Sequence, residues 1–308
     1  MHIPFSPCLV VLAGGFLILP TPAGAVPINF SSSGADAAAI QGSVDAFRAA
    51  LGEPNNGNAP GPLATGRREI NWDGGGNNFT TTAPATPFNV FLDSRGAQLT
   101  TPGTGLTQAP PVADPALFPP GGLAGLFTNP TYGTIFSTFS PERLFAPVDS
   151  NITDGLFFIP GTNGTVAATV SGFGAVFTDV DLVDTTSIEY LDSSGSSLGT
   201  FFAPTADSGL SFLGVQFTDE LISRVRITTG NSALGPDDGA GVDVVVMDDF
   251  LYAEPQAVQA VPEPSTWLLL GAGLAGYWWK GRRQTVKVGF PEVSRGKRGQ
   301  IHFSRLTL

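Results

Sequence analysis

One segment of the chain carries apolar residues at clear helical spacing, and it lies near the start, at residues 36–52. Its sequence is DAAAIQGSVDAFRAALG, and the apolar positions are Ile40, Val44, Phe47 and Leu51. Their spacing places all four side chains on one face of an α-helix. Asp36 suits the N-cap, and Gly52 suits the position just past the C-terminus. The pattern predicts a short amphipathic helix that covers one end or edge of a sheet.

The other patterned segments are short and alternate like β-strands. In residues 68–73, alternation places Ile70 and Trp72 on the same face of a strand. Residues 88–92 predict another strand. From residue 132 onward, strands are predicted in the runs TIFSTF, GLFFIP, TVAATV, AVFTDVDL, TSIEYLD, SLGTFFA, LSFLGVQF, ISRVRITTG and VDVVVMDDFLYA. Turn residues separate these runs at intervals of roughly 8–12 residues, which is typical of a β-sandwich or jelly roll.

Composition supports the same fold class. The chain has 39 glycines and 26 prolines, which favour turns and short strands over long helices. Residues 99–131 are rich in Thr, Gly and Pro and predict a long, turn-rich section. We therefore predict a mainly β protein. It has a β-sandwich or jelly-roll body over residues 26–254, one short N-terminal amphipathic helix and a short C-terminal hydrophobic helix.

The body is strongly acidic. Between residues 26 and 279 the chain has seven arginines, no lysine and 25 acidic residues, which gives a formal charge of −18. Such a surface repels nucleic acid and attracts divalent cations. We therefore expect no nucleic-acid partner.

The body lacks the residue types that many catalytic and zinc sites need. Cys8 is the one cysteine of the chain, and the two histidines are His2 and His302. Their positions exclude a disulfide framework, Cys-His and Ser-His-Asp mechanisms, and His/Cys zinc sites within the body. A carboxylate pair acting on a glycosidic bond remains available, but no Glu stands in a recognisable pair. We expect no enzyme, with a secreted carbohydrate-active hydrolase using carboxylates as the alternative.

Residues 1–25 have the pattern of a secretory signal peptide. The run LVVLAGGFLIL at residues 9–19 is an apolar core of suitable length. The small residues Ala23 and Ala25 fit an A-x-A cleavage site, with the mature chain beginning near Val26. We predict export by the Sec translocation machinery.

The C-terminal part consists of three segments in a fixed order. A linker at 255–264 contains Pro262-Glu263-Pro264, an apolar run occupies 265–279, and a basic tail occupies 280–308. The apolar run predicts a short transmembrane helix. At about 1.5 Å per residue, it falls short of a ~30 Å hydrocarbon core. The basic residues place the tail in the cytoplasm and the body outside the inner membrane before processing.

This order resembles a known sorting signal. From VPEPS through a glycine-containing span to KGRR, residues 261–283 resemble the PEP-CTERM signal of Gram-negative bacteria. The resemblance implies recognition by exosortase, a membrane-embedded cysteine transpeptidase that cleaves near Pro-Glu-Pro. It implies a protein that is transiently anchored in the inner membrane and then reaches the cell surface or an extracellular polymer. Such a segment is also called an ice-binding protein C-terminal domain, a name that says little about ice.

Parts of the body resemble a recurrent ectodomain of PEP-CTERM proteins. The matching phrases are RREINWDG, SGFGAVFTDVDL, LSFLGVQF and VVVMDDFLYAEP. A broader similarity connects this ectodomain with jelly-roll carbohydrate-binding modules. The resemblance implies a non-enzymatic, polysaccharide-associated or glycan-binding role in an extracellular polysaccharide or biofilm matrix.

Acidic residues cluster where hard oxygen ligands for calcium would be useful. The candidate calcium ligands are Asp73, Asp179, Asp181, Asp248 and Asp249. Strand alternation in residues 247–250 predicts that one of the two acids there points inward and needs a partner. That partner is either a metal shared with Asp73 or an ion pair with Arg68. Solvated or ion-paired acids without a metal are the alternative.

Four aromatic residues are candidates for a surface on which a glycan stacks. They are Trp72, Tyr132, Tyr190 and Tyr252. An aromatic side chain at strand spacing is more often part of the core.

Overall fold

The computed structural model describes residues 26–73, 85–112, 121–219, 221–258 and 270–278. The predicted signal peptide with Ala23 and Ala25 lies outside these residues, as do Pro262, Glu263 and Pro264 and the basic tail.

The chain divides into two units, Met1–Val258 and Gln259–Leu308. The described residues of the first unit form the folded body, which extends to Val258, four residues past the boundary predicted at 254. Within the second unit, residues 270–278 form a short helix. Among the residues that are described, no helix has the length and apolar character needed to cross a membrane.

Short β-strands make up most of the body. In chain order they are β1 Ile28–Gly34, β2 Arg67–Ile70, β3 Ala97–Thr100, β4 Gly105–Ala109, β5 Leu144–Val148, β6 Ile152–Phe157, β7 Ala168–Thr169, β8 Gly172–Val180, β9 Ser187–Leu191, β10 Ser197–Phe202, β11 Ala206–Gln216, β12 Arg224–Thr228, β13 Val246–Ala253 and β14 Gln256–Ala257. The helices are α1 Ala37–Leu51, α2 Leu92–Arg95, α3 Gly122–Leu126 and α4 Tyr132–Ile135.

The strands form two large antiparallel sheets. The first has the order β1-β11-β8-β13-β5-β4, and β2 also pairs with β13. The second has the order β10-β9-β12-β6-β3, and a two-stranded sheet joins β14 to β7. Strands β8 and β13 therefore occupy the middle of the first sheet.

A common apolar core packs the two large sheets together. Phe173 on β8 meets Phe157 on β6, with ring centroids 6.0 Å apart. The hydroxyl of Tyr190 on β9 donates a hydrogen bond across the core to the carbonyl oxygen of Phe173, at 2.9 Å. These contacts confirm the predicted mainly β sandwich.

Helix α1 forms as the sequence predicts. The four apolar residues on its face are buried, and the Asp36 carboxylate accepts a hydrogen bond from the N–H of Ala39 at 3.0 Å. At the other end, Gly52 has a φ of 109°, which favours glycine, and its N–H donates to the carbonyl oxygen of Arg48. The cap residues thus fix both ends of the helix.

Two glycines allow α1 to approach the first sheet closely. A Cβ at Gly174 would lie 2.8 Å from the ring of Phe47, and a Cβ at Gly214 would lie 3.0 Å from that ring. Successive strand residues point to opposite faces, and Phe173 faces the second sheet. Helix α1 therefore covers the outer face of the first sheet.

Some predicted strands do not form. In 88–92, only Phe88 makes a bridge, to Leu99, and the chain then enters α2. The run TIFSTF begins in α4, and side chains take its next backbone donors. Ser137 N–H donates to Thr178 Oγ1 at 2.8 Å, and Phe139 N–H donates to Asp248 Oδ2 at 2.7 Å. A ladder of backbone hydrogen bonds is therefore interrupted here.

Other strands were not predicted. The turn-rich section 99–131 contains β4 and α3, and strands β1 and β5 form outside the predicted runs. These segments lack the local alternation of a strand, and they form strands because they pair with neighbouring strands.

A buried ion pair joins β2 to the residue that follows β13. The guanidinium of Arg68 donates two hydrogen bonds to the carboxylate of Glu254, at 2.6 and 2.7 Å. The Arg68 and Glu254 side chains are 0% and 2% exposed. Arg68 also donates to the carbonyl oxygens of Gly57 and Ala59, while Glu254 accepts from Leu63 N–H. The pair therefore fixes the loop that precedes β2.

Replacing Glu254 by Gln should lower the free energy of unfolding by about 3–5 kcal/mol, because it leaves the Arg68 charge buried without a counter-charge. Urea unfolding followed by tryptophan fluorescence measures this. Asp154→Asn is the matched control, because it breaks an exposed pair with Arg226 and should cost about 1 kcal/mol or less. Equal losses in the two variants would contradict a special role for the buried pair.

Candidate functional site

The four candidate stacking aromatics lie in the core. They are Trp72, Tyr132, Tyr190 and Tyr252, each at most 1% exposed. Trp72 stacks on Phe145 with ring centroids 3.8 Å apart, and its indole N–H donates to the carbonyl oxygen of Asp248 at 2.8 Å. Their packing confirms the core alternative, so these side chains present no aromatic surface to a glycan.

Asp248 and Asp249 are both buried, at 0% and 3% exposure. Alternation predicted that one of the two points inward, whereas both are buried, and the register between β13 and β8 shifts between Met247 and Phe250. The extra residue of this bulge breaks the alternation of faces. Arg68, the predicted ion-pair partner, binds Glu254 instead.

Three of the predicted ligands converge on residues 139–143. Asp248 Oδ2 accepts from the N–H groups of Phe139 and Ser140, at 2.7 and 3.3 Å. Asp73 Oδ1 accepts from the N–H groups of Glu142 and Arg143, at 2.7 and 2.9 Å. These carboxylates hold the segment against β13 by hydrogen bonds from its backbone.

The hydroxyl of Ser140 lies among the three carboxylates. It donates to Asp249 Oδ1 at 2.6 Å, while Asp73 Oδ2 and Asp248 Oδ1 lie 3.3 and 3.4 Å away. Asp73, Asp248 and Asp249 therefore surround one hydroxyl, but no set of one oxygen from each lies within 4.8 Å of the others. Calcium at this position stays a prediction.

Burial changes the titration of the Asp248 and Asp249 pair. Desolvation raises the pKa of Asp249 to about 6. Desolvation, together with the negative charge of Asp249, raises the pKa of Asp248 well above its usual range. The pair therefore keeps a proton at pH values where an ordinary aspartate has lost it, and this proton reduces the repulsion between the two carboxylates.

A polar pocket opens beside this pair, with a volume of about 450 Å³. Its wall includes Gln41 and Arg48 of α1, Glu69 of β2, Asn71 and Asp249. Arg48 Nη2 lies 2.9 Å from Glu69 Oε2 and 3.9 Å from Asp249 Oδ2. The residues of this site come from separate elements, so no local sequence pattern predicts it.

The other two predicted ligands, Asp179 and Asp181, lie at the end of β8, in a second acidic group. The structure adds Asp238 from the loop before β13, which the prediction left out. One oxygen atom from each of the three residues lies within 4.8 Å of the others. In the described part of the chain, this is the only such group of three. We call it the Asp179 cluster.

Burial and neighbouring carboxylates raise the pKa values of acids in the Asp179 cluster. Desolvation is the largest cause that raises the pKa of Asp179 to about 7, and nearby carboxylates add to it. Desolvation and contact with Asp238 raise the pKa of Asp181 to about 8. By contrast, neighbouring Asp243 accepts from Asp181 N–H, Leu182 N–H and the Thr185 hydroxyl.

Asp248→Asn should make stability less dependent on pH. The folded-state pKa values of the pair are raised, so their contribution is present at low pH and is lost as pH rises through them. From about pH 4 to about pH 8, the variant should lose roughly 1–3 kcal/mol less unfolding free energy than the parent. Denaturant titrations with a chelator present measure this. The exposed Asp219→Asn is the control, and a parallel pH profile for Asp248→Asn would contradict the shared proton.

Comparison with known proteins bears on the C-terminal segment. Residues 260–284 match the family described as PEP-CTERM protein-sorting motif. No curated protein and no solved structure matches the chain. The match contains Pro262, Glu263 and Pro264 and supports export with exosortase-dependent sorting. The chain therefore carries a PEP-CTERM protein-sorting motif, which implies an exported protein that exosortase processes at the membrane.

Proposed function

We propose that exosortase sorts this protein to the cell surface or extracellular matrix, where its body binds polysaccharide without hydrolysing it. The observation that carries the binding role is the polar pocket at α1, β2 and β13. Its volume of about 450 Å³ falls within the range of small-molecule sites.

The pocket has the donors and acceptors that sugar hydroxyls need. Gln41, Arg48 and Asn71 supply N–H donors, while Glu69 and Asp249 supply carboxylate acceptors. The ion pair between Arg48 and Glu69 holds two of these side chains in place before a ligand arrives. The half-buried ring of Phe139 adds an apolar surface. The set is complementary to a ring that carries several hydroxyls.

The charge of the body favours a neutral polysaccharide. A formal charge of −18 between residues 26 and 279 repels anionic polymers. The wall of the pocket holds two arginines, Arg48 and Arg95, and two acids, Glu69 and Asp249, so it has no excess of positive charge for an acidic sugar. A neutral polysaccharide is therefore the class that we propose.

The hydrogen bonds that the pocket acids already accept favour binding over hydrolysis. Glu69 Oε2 accepts from Arg48, and Glu69 Oε1 accepts from Arg67 at 2.6 Å. Asp249 Oδ1 accepts from the hydroxyl of Ser140. A general acid must donate a proton to the leaving oxygen, and both oxygens of Glu69 instead accept hydrogen bonds from arginines. The alternative, a hydrolase using carboxylates, is tested together with binding.

Glu263→Ala should reduce release of the protein from the membrane in a host that has exosortase. Glu263 is the one charged residue of the Pro-Glu-Pro motif, so its removal takes away the one charge by which the motif could be recognised. Immunoblots of membrane and culture-medium fractions measure release. Glu292→Ala, in the basic tail, is the control. Normal release of the Glu263 variant would remove the support for the motif as the recognition site.

Removing two pocket side chains should weaken glycan binding. We expect the full chain to bind neutral glycans on an array, and Gln41→Ala with Asn71→Ala should weaken binding by about tenfold or more. The matched control is Asn89→Ala with Gln98→Ala, an exposed hydrogen-bonded pair of the same residue types outside the pocket.

The outcomes separate three possibilities. Loss in the pocket variant alone supports the pocket as the binding site. Equal loss in both double variants, or binding by neither the parent nor the variants, contradicts it. Shortened glycan products after long incubation with the parent favour the hydrolase.

A further inference from the structure

We infer that Asp179, Asp181 and Asp238 bind one divalent cation, with Ca²⁺ as the preferred ion. This site is separate from the polar pocket and does not rest on glycan binding. Its position at the end of β8 joins two segments that are far apart in the sequence.

The distances fit a single ion. The three carboxylate oxygens lie within 4.8 Å of one another. Calcium binds oxygen at 2.3–2.6 Å, so two ligands on opposite sides of one ion are separated by about 5 Å. The three oxygens are thus close enough to contact one cation together without a large movement of the backbone.

Unpartnered oxygens point to a missing ligand. Asp179 is 1% exposed, and its Oδ1 accepts from the N–H of Ser208 at 2.8 Å. Its other oxygen, Oδ2, is buried and has no hydrogen-bond partner, and the same holds for Oδ1 of Asp181 and Oδ1 of Asp238. A buried acceptor without a partner costs about 1–3 kcal/mol. One cation would satisfy all three atoms.

Other buried acids in the body show what a purely structural carboxylate looks like. Asp243 accepts three hydrogen bonds from residues 181–185. Asp248 accepts two from the backbone at Phe139 and Ser140. Glu254 binds Arg68 directly. The Asp179 cluster differs because each of its members keeps an oxygen that no protein donor reaches.

Hydrogen bonds with two buried side chains hold the loop that supplies Asp238. The hydroxyl of Tyr132 donates to the carbonyl oxygen of Pro236 at 3.0 Å and accepts from the N–H of Gly235 at 2.7 Å. The amide of Asn129 also donates to Pro236, at 3.0 Å. Both Tyr132 and Asn129 are buried, at 0% and 3% exposure. These bonds therefore keep Asp238 near Asp179 and Asp181 before an ion binds.

The ligand chemistry selects the kind of ion. Three carboxylates are hard oxygen ligands, and the body has no histidine or cysteine for zinc or copper. Three carboxylates supply three to six of the six to eight oxygens that Ca²⁺ takes, with water for the rest. Mg²⁺ requires a near-octahedral arrangement at shorter distances, which a site built from a strand end and a loop meets less readily.

The test is calcium titration of the full chain. After treatment with a chelator, the protein is titrated with CaCl₂ at one neutral pH, by calorimetry and by thermal unfolding. We expect one Ca²⁺ per chain and a higher Tm, because an ion that binds only the folded state stabilises it. Asp238→Asn should weaken binding by about tenfold or more. Asp237→Asn, the exposed neighbour, should bind calcium like the parent.

Each other outcome contradicts the site. Absence of both heat and a Tm shift at millimolar CaCl₂ in the parent would overturn it. Equal loss in Asp237→Asn and Asp238→Asn would show general screening of the acidic surface instead. Asp181→Asn provides a second ligand variant where Asp238→Asn folds poorly, and parental affinity in a folded ligand variant would overturn the assignment. MgCl₂ binding as tight as CaCl₂ binding would overturn the preference for calcium.

Discussion

The ion pair between Arg68 and Glu254 is the interaction on which the positions of the other parts depend. It joins β2 to the end of β13, and in this pairing Phe250 lies opposite Ile70. That register places Trp72 and the residue after it beside the central strand. The same alignment positions the acids that hold residues 139–143. It also positions the side chains that form the wall of the polar pocket. A shift of β2 by one residue would turn its buried side chains to the other face.

Local signals were enough to predict some elements. Helix α1 follows from its apolar spacing, its Asp36 cap and its Gly52 terminus, all of which lie within one short segment. Strand β8 follows from an apolar run bounded by turns. The run TIFSTF has a similar composition, but Thr178 and Asp248 accept its backbone donors, and both are distant in sequence. A prediction from local pattern contains no information about such acceptors.

The candidate sites were predictable to different degrees. Acidic composition indicated Asp179 and Asp181 as candidate cation ligands. It did not join Asp238 to them, because only the fold brings that loop to the end of β8. Alternation did not predict that Asp248 and Asp249 are both buried, at a point where the register of β13 against β8 shifts. The polar pocket was missed entirely, because neither Arg48 nor Glu69 is distinctive until α1 packs beside β2.

The pairing of β14 with β7 determines how close to the sorting motif the folded body extends along the chain. Gln256 and Ala257 are held in this small sheet, and the side chain of Gln256 also donates to the carbonyl oxygen of Leu63. From Val258 to Pro262 only four peptide steps remain, which extend at most about 14 Å. A protease that cuts near Pro-Glu-Pro must therefore accept a bulky folded neighbour at its entrance.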